Sequence, residues 1–121
     1  MKIILDTNAA LYFLQGNERV IANVSNAEKV AVSFITEIEL LCYETGQDEI
    51  DTIKKFLTLV EILYPDAQTA KLTIDIRKKS GLKLPDAIIC AQAAQFDYTL
   101  FTSDKKILNQ MPGARTLDPR K

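Results

Sequence analysis

The chain has 121 residues, 47% of them hydrophobic and 26% charged, with a formal net charge of -1. These values suit one globular domain over residues 1–121 that builds its core without disulfide or metal staples. The overall charge points to neither nucleic acid nor membrane, and the absence of histidine excludes imidazole acid–base pairs, Ser-His and Cys-His nucleophiles and His-ligated zinc within one chain.

The chain opens MKIILDTN, and its apolar run predicts a first strand over residues 2–5 that stops at Asp6. Apolar residues at helical spacing follow over 9–14 and stop near Gly16, and a second short helix is predicted over 18–25. VAVSF at 30–34 is β-branched and reads as a buried strand. Residues 36–44 read as a helix ending at Gly46. Residues 48–59 form another, with Ile50, Ile53, Phe56, Leu57 and Val60 on one stripe. A third strand is predicted over 61–64, then a helix over 66–79 with a basic end and Gly81 as its stop. Pro85 starts a helix that runs to Phe96. Residues 99–102 are a fourth strand, 105–110 a short helix, and 114–117 a fifth, edge strand.

Cys42 and Cys90 lie far apart in apolar helical patterns and read as reduced core thiols. The N-terminal apolar stretch is broken by Asp6, Asn8 and Gln15, too soon for a signal peptide or a membrane span. A cytoplasmic protein is expected.

Short apolar strands alternating with helices argue for an α/β fold, a parallel sheet covered on both faces. Right-handed crossovers make it doubly wound, and such sheets place ligand chemistry beyond the carboxyl ends of their strands. Four acids fall at those ends or at helix starts facing them: Asp6, Glu39, Asp86 and Asp104. Each has an ordinary explanation. Asp6 and Asp104 are good N-caps, Thr36-x-x-Glu39 matches a capping box, and Asp86 favours the positive end of its helix. Glu37 competes with Glu39 but projects about 200° away around the helix, so one of the two faces the site.

Together the four need another explanation, because convergent carboxylates repel unless a cation neutralises them. Oxygen donors without histidine select hard cations, Mg²⁺ or Mn²⁺. Such an ion acidifies water and steadies charge on a phosphate, so the residue types suggest metal-dependent phosphodiester hydrolysis. Asp6 and Asp104 are the direct ligand candidates. Asp86 is a ligand or orients the attacking water, and Glu39 is a direct or water-bridged ligand. Lys83 and Lys105 are the phosphate contacts nearest these acids in the chain. The denser run Arg77-Lys78-Lys79 reads as a solvated helix end.

IILDTN, Ser33-x-x-Thr36-x-x-Glu39-Leu40, LKLPDAIICAQA and LFTSD, in this order and spacing, resemble the PIN domain of VapC-type toxins over essentially the whole chain. The resemblance implies a five-stranded sheet in 3-2-1-4-5 order and Mg²⁺- or Mn²⁺-dependent endoribonuclease activity. It assigns the site to Asp6, Glu39, Asp86 and Asp104, and favours Glu39 over Glu37. Asn8 and Thr102 match its supporting polar positions. It further implies a homodimer and a small antitoxin partner. The last motif departs from the family, which often has more polarity or a second acid near Asp104: here Ser103 precedes it and Lys105, Lys106 and Ile107 follow, which leaves one or two ions open.

Two other readings compete. A PIN-like fold can serve as a catalytically silent RNA-binding or protein-interaction module. A haloacid-dehalogenase-like phosphatase would use Asp6 as nucleophile, but that chemistry wants a second acid where Asn8 stands. Leu11, Tyr12 and Leu14 are candidates for a dimer surface, with ordinary core packing as their alternative.

Overall fold

The computed structural model describes residues 1–111 and the backbone of Thr116–Leu117. Among the described residues, five parallel strands, β1 (Lys2–Leu5), β2 (Lys29–Ser33), β3 (Glu61–Leu63), β4 (Thr99–Phe101) and β5 (Thr116–Leu117), form one sheet in the order 3-2-1-4-5. The first four make its body, and β5 adds two residues at the edge. Ala114 and Arg115, the first half of the expected edge strand, lie outside the described residues.

The helices are α1 (Thr7–Leu14), α2 (Glu18–Asn26), α3 (Phe34–Leu41), α4 (Gln47–Leu59), α5 (Ala67–Ser80), α6 (Leu84–Phe96) and α7 (Lys105–Gln110). Alternation along the strands divides the core in two. Ile3 and Leu5 face Ala9, Ala10, Ile53 and Phe56, while Ile4 faces Leu82, Ala87, Cys90 and Ile107. The sheet is therefore buried on both sides, which is why its strands read as unbroken apolar runs.

The predicted helix over 36–44 is shifted. Ser33 closes β2 and at once caps α3, accepting a hydrogen bond from the Ile35 amide at 3.1 Å. Thr36 is thus inside the helix, and the expected Thr36–Glu39 capping box does not form. A capping box occurs instead at Asp66 and Thr69, opening α5. That helix ends, as expected, at Gly81, whose φ of 69° is the left-handed conformation glycine adopts without strain.

The cysteines differ. Cys90 is buried, but Cys42 is exposed at the end of α3, so its core assignment is corrected. The helix stops before its apolar pattern does. Among the described residues, no helix is long and apolar enough to cross a membrane.

Candidate active site

Strand register builds the site. Leu5 lies beside Val32 of β2 and Phe101 of β4. One residue further on, Asp6, Ser33 and Thr102 form a row across the carboxyl edge of the sheet. The Asp6 amide donates to the Phe101 carbonyl at 3.2 Å, pinning Asp6 to the end of β4. Asp6 then caps α1, its Oδ1 accepting from the Ala9 amide at 2.8 Å. Asp104 does the same for α7, with Oδ1 accepting from the Lys106 amide at 2.8 Å. Asp86 is the third residue of α6, which runs back toward β4 and so begins at the same edge.

The charges of these acids act on one another. Asp6 is buried, and desolvation pushes its carboxyl up to about 6 from the usual 3.8. The nearby Thr102 hydroxyl and the hydrogen bond from the Ala9 amide oppose that rise, and the charges of Asp86 and Asp104 add to it. Asp86 is half-buried and its pKa is raised, first by burial and then by the charges of Asp104 and Glu39. Lys83 and Lys106 pull it down. All four acids expected from the sequence are therefore linked through Asp6 and Asp86.

The two glutamates of α3 part as helical geometry requires. Glu37 accepts a hydrogen bond from the Tyr64 hydroxyl at 3.1 Å, just past the end of β3 at the far side of this edge. Glu39 accepts one from the Thr7 hydroxyl at 2.6 Å, beside Asp6. Thr102 is fully buried, and its Oγ1 accepts from the Asp104 amide at 3.0 Å. Asn8 is exposed in the first turn of α1, and Ser103 is half-buried between Thr102 and Asp104. Cys90 packs behind the acids, where burial and then the charges of Asp86, Asp6 and Asp104 push its thiol up to about 12. It is inert as a nucleophile there.

Sequence reasoning missed three contributors. Thr7 and Thr36 looked like capping residues, yet they join α1 to α3 across the site, their hydroxyl oxygens 3.1 Å apart. Lys106, rather than Lys105, is the α7 lysine whose charge acts on Asp86. The shared first turn of α7 gave no signal to separate the two lysines.

Among the described residues, no three acids or cysteines stand close enough to form a closed metal cage. The donor set nevertheless fits a hard cation. Mg²⁺ is ordinarily held by one or two carboxylates together with waters and substrate phosphates. The capping bonds of Asp6 and Asp104 fall on Oδ1, leaving Oδ2 of each for other partners. A cation would also offset the burial, and after it the like charge, that raise Asp6 and Asp86.

A separate groove of about 700 Å³ opens between the end of α1 and the start of α4. Leu11, Leu14, Tyr43 and Ile53 line it, Asp48 and Glu49 edge it, and none of the four site acids reaches it. Leu11, Tyr12 and Leu14 are each half-buried, and Leu11 and Leu14 pack against the core.

A family model of the PIN domain matches residues 3–113. A comparison with curated proteins returns no match. Solved structures with the same fold include a chain of DNA-bound VapBC from Salmonella typhimurium, at TM-score 0.85 and 22% identity, covering 98% of each chain. A chain of a toxin-antitoxin complex from Klebsiella pneumoniae matches at TM-score 0.84 and 24% identity, covering 97% of each. A chain of VapBC-1 from nontypeable Haemophilus influenzae matches at TM-score 0.82 and 25% identity over 100% of each.

Proposed function

The chain belongs to the PIN domain family, and from that premise we propose that it is a metal-dependent endoribonuclease, the toxin of a toxin–antitoxin pair. The observation that carries the reading is the convergence of Asp6, Glu39, Asp86 and Asp104 on one edge of the sheet, with Asp6 held near 6 by burial and neighbouring charge. Nothing in the stability of the fold calls for such crowding. Substrate and ion do.

Asp6, Asp86 and Asp104 would hold Mg²⁺ or Mn²⁺, with Glu39 binding directly or through water. One or two ions fit this set. When bound, the ion supplies positive charge for the phosphate and a more acidic water. The chain's own groups do the rest. Asp86 orients the attacking water, whose oxygen loses a proton to solvent and bonds to phosphorus as the P–O bond to the leaving nucleotide breaks, the leaving oxygen taking up a proton from solvent. Lys83 and a lysine of α7, Lys105 or Lys106, meet neighbouring phosphates. Thr102, Asn8 and Ser103 support the acids from the turns that carry them.

The toxin reading draws on the VapBC and other toxin–antitoxin complexes among the similar structures. The groove between α1 and α4 suits the antitoxin, because apolar walls with an acidic edge match an amphipathic segment bearing lysine or arginine. A homodimer acting in the cytoplasm completes the proposal. Family membership removes the phosphatase alternative and leaves the silent binding module as the competitor.

The test incubates purified protein with a mixed RNA pool in Mg²⁺, in Mn²⁺ and in chelator, beside Asp6→Asn. Cleavage that needs the metal and Asp6 is expected. Cleavage that survives both chelation and Asp6→Asn overturns the mechanism, and wild type that cleaves no RNA supports the silent module. For the toxin role, expression alone should arrest growth, and a small protein encoded beside it should relieve the arrest.

A further inference from the structure

We propose that Thr7 is a positioning residue that fixes the Glu39 carboxylate against the Asp6 end of the site. The inference rests on the reading of the acid edge as a cation site. Its observation is a pair of hydroxyl contacts that cross between two helices. Thr7 Oγ1 donates to Glu39 Oε1 at 2.6 Å and lies 3.1 Å from Thr36 Oγ1. A hydroxyl carries one proton, and here it goes to the carboxylate. The proton between the two threonines therefore belongs to Thr36, and the chain runs Thr36 to Thr7 to Glu39.

Three facts separate this from incidental surface bonding. A threonine hydroxyl in a first helical turn ordinarily bonds to backbone nearby. Thr7 instead reaches partners 29 and 32 residues away in sequence. The bond to Glu39 is in the short range of a hydroxyl donating to a charged carboxylate. The far end of the chain is anchored, since Thr36 is fully buried. Glu39 itself is exposed and, unrestrained, would sample several rotamers. Thr7 follows Asp6 directly, so it holds Glu39 at the edge where the other acids converge. Outer partners of this kind orient metal ligands and set their affinity.

The test compares Thr7→Val, which keeps the β-branched shape, with Thr7→Ser, which keeps the hydroxyl, each alone and with Glu39→Gln. Full-length proteins are checked for folding by circular dichroism. Mn²⁺ affinity is then measured by calorimetry, and kcat and KM on RNA separately. Thr7→Val is expected to weaken Mn²⁺ binding ~10-fold or more and to lower kcat more than it raises KM. Thr7→Ser should restore both to within about 2-fold, and Thr7→Val should add less than about 2-fold in the Glu39→Gln background, because the two act through one contact. Wild-type Mn²⁺ affinity in folded Thr7→Val, or full additivity with Glu39→Gln, overturns the proposal. If the wild type itself neither binds Mn²⁺ nor cleaves RNA, the cation-site reading has failed on its own. A crystal structure of Thr7→Val then decides the positioning claim: Glu39 released from the α1 start supports it, and Glu39 unmoved refutes it.

Discussion

Two regions of this molecule carry several acids, and they are built oppositely. At the sheet edge, Asp6 is buried, Asp86 half-buried, and the four carboxylates act on one another's charge. At the groove between α1 and α4, Asp48 and Glu49 are exposed and border an apolar floor. Acidic residues in the first turn of α4 need nothing beyond water and the helix dipole. At the sheet edge, burial and like charge disfavour the ionised forms of Asp6 and Asp86, which a cation or a proton would offset. The count of acids therefore distinguishes nothing, whereas burial and mutual approach set the proposed reactive region apart.

The comparison breaks most sharply in activity. Asp6→Asn should lower RNA cleavage by more than ~100-fold, a larger effect than altering a ligand's outer partner produces. Asp48→Asn should leave cleavage within about 2-fold, because it touches no site acid. Equal effects in a cleavage assay would erase the distinction between the regions.

Stability should move the other way. With its folded value near 6 and its usual value at 3.8, Asp6 binds its proton more tightly in the folded state. Stability is then unaffected below about pH 4 and falls as pH rises through 6, by about 3 kcal/mol at 1.36 kcal/mol per unit. Asn keeps the cap on α1 and removes the charge. Metal-free Asp6→Asn should therefore be more stable than wild type at pH 7 by up to about 3 kcal/mol, and equal to it near pH 3.5, in urea melts. A variant less stable at neutral pH would mean that the charge is already compensated. Added Mn²⁺ should raise the melting temperature of wild type more than that of the variant.

At the groove, Leu14→Glu should weaken antitoxin binding by about 2 kcal/mol, roughly 30-fold, by placing a charge in the apolar floor. RNA cleavage by the free protein should not change. Loss of cleavage with intact antitoxin binding would reverse the assignment of the two regions. Acidification should separate them again. Mn²⁺ affinity at the sheet edge should fall as pH drops through about 6, where Asp6 takes up its proton, and calorimetry at several pH values reads it.

The smallest expected effect concerns the lysines. Lys83→Ala and Lys106→Ala should each reduce the salt slope of RNA binding by about 1, and Lys105→Ala should change it less. Binding titrations across salt concentrations check this. A dominant Lys105 would show that closeness to Asp86 is the wrong guide to the RNA path.

Much of this was legible in the chain itself. Strands and helices announced themselves because apolar periodicity and the termini signals Asp6, Asp66, Gly81 and Asp104 act over a few residues. The absence of histidine limited the candidate site to oxygen donors, and the motifs pointed to the four acids whose charges the fold brings together. The start of α3 was misplaced because the predicted strand ran on to Phe34 and Thr36 matched a capping box, whereas β2 ends at Ser33 and Ser33 itself caps the helix. Cys42 looked like core because its neighbours are apolar, yet α3 ends there and leaves it exposed.

What the sequence by itself determined is the local order of elements and the kinds of chemistry available. What only the tertiary structure decided is which of those groups meet. Asp6 differs from Asp104, an equally good cap, because β1 lies between β2 and β4 and leaves Asp6 little contact with water. Thr7 differs from any other helix-start threonine because register brings α3 alongside α1. Desolvation and charge repulsion depend on distance through space, and sheet register, not spacing along the chain, sets that distance.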